Sequence, residues 1–286
     1  MNASATTNTG FMRPEVHGHR GCRGLWPENT LPAFRHAVAL GVDVLELDVV
    51  ISSDGQVVVS HEPWFSAAIC RLPNGQPIDP TQERQHNLYQ MPYAHIKQYD
   101  CGLTRHPNFP EQQLLPAYKP LLREVIRSVE MQVAQLDRAP VRYSIELKTE
   151  PAGDAVFHPH PDEFVALVLA VIGEELTEPR TTILSFDHRI LQQAQAAAPH
   201  IPLCLLIEDQ VPLAEHLRAL GFVPQVLGPA HWLLTPELLA TVKNLDMRLV
   251  PWTVNDIITM RRLIEASVTG ITTDYPDRLL QLLASW

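Results

Sequence analysis

The sequence predicts an α/β protein with a TIM-type (β/α)8 barrel, somewhat irregular, that carries an insertion after the third strand. Short apolar runs alternate with helical segments in about eight units along the 286 residues, which is typical of a parallel barrel. Reactive side chains stand near the C-terminal ends of several runs, where barrel enzymes place their active sites. No linker rich in Gly and Ser divides the chain, so we expect a single barrel domain over residues 15–286.

The predicted strands are short and rich in β-branched residues, as buried strands are. They cover residues 16–17, 44–50, 57–60, 142–148, 182–186, 202–207, a weaker run between 223 and 234, 248–254 and 270–273. The predicted helices cover a segment that opens at 29–32 and ends at Gly41, then 121–135, 161–176, 189–198, 213–220, a helix beginning at 235–237, and 257–266. Asn29 or Thr30 is a suitable N-cap of the first helix, and Gly41 a suitable C-cap.

These are nine candidate strands for eight barrel positions, so one unit must be irregular. The Ser-Asp-Gly turn at residues 53–55 leaves too little room for a helix between the second and third strands. An open doubly wound sheet is the alternative fold. It is disfavoured because Gly18, Gly21 and Gly24 follow no long strand and therefore do not form a Gly-rich phosphate loop.

Residues 62–119 interrupt the alternation with many prolines and no long helical stripe. A structureless connection of this length is unusual in a compact domain and is commonly functional. Because it leaves from the end of the third strand, we predict a lid or small inserted subdomain over the barrel mouth; a surface insertion without a function is the alternative. Residues 1–14 are polar and expected to be flexible.

Composition and charge exclude several classes of protein. A formal net charge of −10 argues against a nucleic-acid partner, which requires clustered Lys and Arg. No apolar run reaches the roughly 18 residues of a membrane span, and the N-terminus lacks the pattern of a secretory signal, so we expect a cytoplasmic protein. Four cysteines form neither a C-x-x-C pair nor a zinc pattern and are expected to be free thiols. The oligomeric state is not predicted.

Three carboxylates point to a metal site. Glu46 and Asp48 share one face of the second strand because side chains alternate along a strand. Two carboxylates directed together repel each other unless a cation lies between them. Glu146, near the end of the fourth predicted strand, is the natural third ligand. An all-oxygen ligand set favours Mg²⁺ or Ca²⁺ over zinc.

Two histidines and two cations complete the predicted site. His19 and His61 lie on different strands and can serve as opposed general base and acid near neutral pH. Arg20 and Lys148 can bind negative charge, and cations together with a metal suit a phosphoryl oxygen whose charge grows in the transition state. From these residues alone, metal-assisted phosphodiester cleavage is expected.

At these positions the chain closely resembles the glycerophosphodiester phosphodiesterase family. The motifs follow the family order and cover nearly all of the chain outside residues 62–119; each alone is weak, but the set is highly specific. They are His19-Arg20-Gly21, Pro27-Glu28-Asn29-Thr30, Glu46-Leu47-Asp48, Asp54-Gly55 ahead of Val58-Val59-Ser60-His61, Ile145-Glu146-Leu147-Lys148, Ser185-Phe186, Trp252-Thr253-Val254-Asn255 and Thr272-Thr273-Asp274-Tyr275-Pro276.

The resemblance implies a TIM-type barrel that hydrolyses glycerophosphodiesters to glycerol 3-phosphate and an alcohol. In the family's usual scheme a substrate hydroxyl attacks phosphorus, and water then opens the cyclic phosphate. The resemblance implies the same ligands, acid–base pair and phosphate-binding cations as above. It adds two residues that line the substrate: Glu28, at a place for a further polar group of the metal site, and Trp252, packed along the glycerol.

Two departures from the family pattern bear on specificity. Glu62 follows the second histidine where the family usually has Asp, and this longer carboxylate is expected either to orient His61 less tightly or to approach the metal differently. The 62–119 insertion is larger than in minimal members, which leaves the accepted alcohol open.

Two other functions remain as alternatives. A zinc amidohydrolase is suggested by His17-Gly18-His19, but the middle strands offer no further metal histidines. A non-catalytic barrel that binds a phospho-ligand is the other alternative, and the complete set of histidines and carboxylates argues against it.

Overall fold

The computed structural model describes residues 13–286, so the predicted flexible segment lies, as far as residue 12, outside the described residues. The strands are β1 (Glu15–Gly18), β2 (Val44–Ile51), β3 (Val57–Val59), β4 (Arg142–Leu147), β5 (Thr181–Ser185), β6 (Leu203–Ile207), β7 (Val226–Pro229), β8 (Arg248–Leu249) and β9 (Gly270–Thr273). The α-helices are α1 (Leu31–Leu40), α2 (Tyr93–Ile96), α3 (Leu122–Gln135), α4 (Pro161–Glu174), α5 (His188–Ala197), α6 (Leu213–Leu220), α7 (Pro236–Asn244), α8 (Ile257–Glu265) and α9 (Pro276–Ala284).

Eight parallel strands form the barrel. Their order is β8-β7-β6-β5-β4-β2-β1-β9, with β3 beside β2 and off this path. The seam between β8 and β9 is bridged by backbone hydrogen bonds from Thr272 N to Pro251 O (3.0 Å) and from Val254 N to Thr272 O (2.9 Å). The predicted TIM-type barrel is therefore confirmed.

The surplus strand is β3, which pairs antiparallel with β2, Val49 opposite Val59. Only residues 52–56 connect the two strands, and a parallel crossover needs a dozen or more residues. The irregular unit expected between the second and third strands is therefore this antiparallel hairpin. The hairpin returns the chain to the barrel mouth, where Ser60 N donates to Asp48 O (3.0 Å) and places His61 beside the carboxylates.

Most other predicted elements agree with the structure to within two residues at each end. The run at 248–254 is strand only at Arg248–Leu249, because Pro251 has no amide hydrogen to donate to the sheet. Helix α9 was not predicted.

Thr30 is the N-cap of α1 but gives no side-chain cap; its hydroxyl donates to Pro27 O instead. Gly41, with φ +104, ends the helix as expected.

The main core lies between the strands and the surrounding helices. Leu45, Leu47 and Val49 alternate with the carboxylates along β2 and pack into it. Residues 62–119 have an apolar cluster of their own, in which Phe65 stacks on Tyr99 with ring centroids 3.8 Å apart. Val50 and Val58 of the β2–β3 hairpin join this second cluster. The insertion is therefore anchored on the hairpin that carries His61.

Two simpler expectations can also be compared with the structure. All four cysteines are buried free thiols, as predicted. Over residues 13–286, no helix combines the length and apolar character that crossing a membrane requires.

Candidate active site

Three buried carboxylates converge at the mouth of the barrel. Asp48 on β2 lies directly opposite Glu146 on β4 in the parallel register, and Glu46 lies two residues earlier on the same face of β2. Each offers an oxygen, and these atoms lie within 4.8 Å of one another. Backbone pairing between two sequentially distant strands therefore builds the cluster.

The electrostatics of this cluster fit a hard divalent cation. Burial raises the pKa of Glu46 well above its ordinary value, and the negative charges of Asp48 and Glu146 raise it further. Burial and the charge of Asp48 also raise the pKa of Glu146, although Lys148 opposes them. Burial also acts to raise the pKa of Asp48, but the charge of Arg20 holds it below its ordinary value, so the neighbouring cations offset the burial of Asp48 and not that of Glu46 and Glu146. Close carboxylate oxygens are the ligands that Mg²⁺ and Ca²⁺ prefer, so the residues present fit such an ion.

His19 follows β1 and is held by a carboxylate from the far end of the chain. Its Nδ1 lies 2.6 Å from Oδ1 of Asp274, and its Nε2 lies 3.8 Å from Glu46. Burial lowers the pKa of His19 to about 4, although the negative charge of Asp274 opposes this. Asn255 and Arg23 donate to Asp274 at 2.8 and 2.9 Å. The imidazole is therefore fixed with Nε2 toward the carboxylate cluster.

Asp274 was not assigned a role from the sequence, although the signal was present. It directly follows β9, so it stands at the C-terminal end of a barrel strand, the position that identified the predicted metal ligands. It also lies in one of the motifs on which the family resemblance rests.

His61 is likewise paired with a carboxylate at Nδ1. Its Nδ1 lies 2.7 Å from Oε1 of Glu62, and its side chain is 31% exposed, against 10% for His19. Burial favours a higher pKa for Glu62, but the hydrogen bond from His61 lowers it to about 2. Glu62 therefore orients His61 despite the departure from the family's usual Asp. Both imidazoles line one cavity together with Glu46 and Glu146.

The two predicted phosphate-binding cations line the same cavity and are paired with carboxylates. Arg20 Nη1 lies 2.7 Å from Glu28, and its Nε lies 3.2 Å from Asp48. Lys148 Nζ lies 2.6 Å from Glu146 and 3.8 Å from Asp48. Each cation is therefore close to a predicted metal ligand, which is where a metal-bound phosphate would lie.

The two predicted substrate-lining residues differ in their placement. Trp252 lines the cavity, packs edge-on against Phe186 and donates from Nε1 to Gly228 O (2.8 Å). Glu28 differs from its prediction: among the described residues it is not part of the cavity wall. It pairs with Arg20 and lies near Arg23, which belong to the same loop between β1 and α1. Asn29 in that loop donates to Asp48 at 2.9 Å.

The cavity, about 400 Å³ in volume, extends down into the barrel, whereas barrel interiors are usually filled by side chains. Opposite the carboxylates its wall is mostly apolar, apart from Glu208 directly after β6. The apolar part is formed by Leu184, Phe186, Leu206, Val226, Val250 and Trp252. No residue of 62–119 lines the cavity among those described.

His17 does not support an amidohydrolase. It lies one layer below His19, and its Nε2 contacts Glu15 at 3.2 Å. Glu15 in turn pairs with Arg142 and Arg248 at the barrel floor. Within residues 13–286, only Glu46, Asp48 and Glu146 have the geometry of a metal site. His17 is therefore part of a charged layer that closes the barrel.

The comparisons with known proteins agree with this arrangement. Residues 19–278 match the Glycerophosphoryl diester phosphodiesterase family. A glycerophosphodiester phosphodiesterase of Caldanaerobacter subterraneus subsp. tengcongensis is 30% identical over 272 residues, which cover 95% of this chain and 98% of the relative. The barrel and its polar mouth thus define a phosphoric diester hydrolase. The chain belongs to the glycerophosphoryl diester phosphodiesterase family.

Solved structures show the same fold. A protein of Silicibacter pomeroyi described as a glycerophosphoryl diester phosphodiesterase superposes with a TM-score of 0.84 at 33% identity, over 95% of this chain and 93% of that one. A phosphodiesterase of Oleispira antarctica, solved with the product sn-glycerol-3-phosphate, has a TM-score of 0.74 at 22% identity, over 95% and 97% of the two chains. At that lower identity the likeness shows the fold alone.

Proposed function

We propose that this enzyme hydrolyses glycerophosphodiesters to sn-glycerol 3-phosphate and an alcohol, with a divalent cation and with His19 and His61 as the acid–base pair. One observation carries the proposal: two imidazoles, each held by a carboxylate at Nδ1, face a single cavity with Glu46 and Glu146 in its wall. The product bound to the Oleispira antarctica relative supports the substrate class.

Glu46, Asp48 and Glu146 would hold the cation, either Mg²⁺ or Ca²⁺. Bound there, the ion supplies Lewis acidity toward a phosphoryl oxygen and orients the substrate. Arg20 and Lys148 add positive charge at the same edge of the cavity and bind the phosphate oxygens. Glu28 acts on the substrate through Arg20, whose guanidinium it holds at 2.7 Å. Trp252 packs along the glycerol.

The enclosure of the two histidines suggests how their roles divide. His19 lies deeper, and its Nε2 accepts the proton of the substrate hydroxyl as that oxygen bonds to phosphorus. Asp274 holds the resulting imidazolium, as a carboxylate does in a catalytic triad. His61 is nearer the solvent, so it donates a proton to the alcohol oxygen as the bond from phosphorus to that oxygen breaks. In the second step the roles reverse, and water opens the cyclic phosphate.

The insertion at 62–119 is proposed to be a small subdomain. Its separate apolar cluster and its anchorage on the β2–β3 hairpin support this assignment.

The test is turnover of glycerophosphocholine, followed by enzyme-coupled detection of glycerol 3-phosphate. We expect turnover that EDTA abolishes and that added Mg²⁺ or Ca²⁺ restores. His19→Ala and His61→Ala should each lose turnover while keeping the wild-type circular dichroism spectrum. Wild-type protein that binds glycerophosphocholine without converting it would contradict the proposal and favour a binding barrel.

A further inference from the structure

The insertion ends in a buried lysine directly behind the His61 turn. Lys119 is 5% exposed, and its Nζ donates to Ser60 Oγ at 2.7 Å. The ring centroid of Phe65 lies 5.6 Å from Nζ. Among the described residues, no carboxylate lies within 4.0 Å of this ammonium. Lys119 therefore carries its charge into an apolar cluster with one hydroxyl as its direct partner.

A buried ammonium with so few partners is unfavourable, because few protein contacts replace the water molecules that would otherwise solvate it. Burial acts to lower the pKa of Lys119, but the neighbouring thiols of Cys70 and Cys101 and the carboxylates of Glu62 and Glu28 raise it. The lysine is thus charged at neutral pH. A methionine would fill the same space without that cost, which suggests that the charge has a use.

Three short contacts connect Lys119 to His61. Ser60 accepts from Lys119 and donates from the same hydroxyl to the backbone oxygen of Glu62 at 2.5 Å. Glu62 then holds Nδ1 of His61 at 2.7 Å through its side chain. The hydroxyl hydrogen of Ser60 can point to Glu62 because the ammonium occupies its acceptor side. Lys119 therefore stabilises the Ser60–Glu62 turn, which orients the side chain of His61.

We propose that Lys119 is a positioning residue for His61, and that through it residues 62–119 control the geometry of the acid–base pair without lining the cavity. This inference rests on the proposed function, because it needs His61 to transfer a proton. Loss of the ammonium would free the Ser60–Glu62 turn and let the imidazole move away from the substrate.

The principal test is Lys119→Met, which removes the charge and keeps the side-chain length. A displacement of about 1 Å of a catalytic group costs about 100-fold. We therefore expect kcat to fall by about 100-fold and KM for glycerophosphocholine to stay within about twofold, because Lys119 does not touch the substrate. Folded Lys119→Met protein with the wild-type kcat would overturn the proposal.

A second variant keeps the test decisive if Lys119→Met is poorly folded. Ser60→Ala removes the hydroxyl that connects Lys119 to Glu62 and leaves the Lys119 ammonium in place. We expect Ser60→Ala alone to lower kcat and to keep KM within about twofold. Where Lys119→Met is folded, the kcat loss of the Lys119→Met/Ser60→Ala double variant should match the larger single loss, because residues that act in one chain are not additive. Independent losses that multiply, or a Ser60→Ala protein with unchanged kcat, would count against the proposal.

Lys97→Met is the matched control. Lys97 belongs to the same insertion and pairs with Glu124 at 3.0 Å. Its side chain is 45% exposed, and it is not one of the residues that connect Lys119 to His61. Its loss should leave kcat unchanged. Wild-type turnover is measured first, so an inactive wild type counts against the proposed function. An active wild type with an unaffected Lys119→Met counts against the role of Lys119.

Discussion

Nδ1 of His19 and Oδ1 of Asp274 lie 2.6 Å apart, although 255 positions separate the two residues in the chain. Both are buried. The contact exists because β1 and β9 are neighbours in the barrel, with Gly18 paired to Thr273, so both residues follow their strands at the same level. The contact with Asp274 occupies Nδ1 of His19 and leaves Nε2 available for the substrate.

Asp274→Asn tests this contact. An amide in place of the carboxylate can favour the wrong imidazole tautomer and does not stabilise the imidazolium. We expect kcat for glycerophosphocholine to fall by about 10²- to 10⁴-fold with little change in KM. Asp256→Asn is the control, because Asn caps the start of α8 about as well as Asp does, and it should retain full activity. Equal effects of the two variants would refute a role for Asp274.

The division of labour between the histidines is tested with two leaving groups. A p-nitrophenolate leaves without help from an acid, whereas choline alkoxide needs a proton. His61→Ala should therefore lose about 10²- to 10⁴-fold on glycerophosphocholine and much less on the p-nitrophenyl ester of glycerol phosphate. His19→Ala should lose activity on both substrates. The reverse pattern in kcat/KM would exchange the two roles.

Glu46→Gln tests the metal site with a readout that does not depend on activity. An amide cannot ionise to bind a cation, and burial already disfavours the ionised form of Glu46 in the metal-free protein, so the melting temperature of the metal-free variant should be at least that of wild type. The extra stability gained on adding Mg²⁺ or Ca²⁺ should shrink, with binding weaker by more than about 100-fold in calorimetry. Glu150→Gln, an exposed glutamate just past β4, should behave like wild type. Wild-type metal affinity in Glu46→Gln would remove Glu46 from the ligand set.

The charged barrel floor predicts a loss of stability in acid. Burial acts to raise the pKa of Glu15, but the hydrogen bond from His17 and the charges of Arg248 and Arg142 lower it to about 2. Ionised Glu15 therefore stabilises the folded protein above about pH 4.5, and this contribution is lost as the pH falls toward 2. It amounts to about 3 kcal/mol at most.

Urea unfolding of wild type and Glu15→Gln at pH 7 and at pH 2.5 measures that contribution. The variant should be less stable at pH 7, and the difference should shrink to about a quarter of that value at pH 2.5, where folded Glu15 is still mostly ionised. A difference of the same size at both values of pH would show that Glu15 contributes through packing rather than through its charge.

The alternation of apolar runs and helices was enough to predict the barrel, because parallel strands must be buried under helices. The period of two along β2 was enough to place Glu46 and Asp48 on one face. The short link after β2 excludes a parallel crossover, but the sequence could not tell that this hairpin returns His61 to the carboxylates at the barrel mouth. It also could not show that Glu28 pairs with Arg20, because the path of a loop depends on what packs beneath it.

What the sequence determined by itself is the set of reactive groups and the strand ends that carry them, since these follow from local periodicity and residue type. Tertiary structure decided which groups meet. The register of β2 on β4 and the closure of β9 onto β1 join residues that are far apart in the chain. Those pairings depend on long-range packing, and no local pattern encodes them.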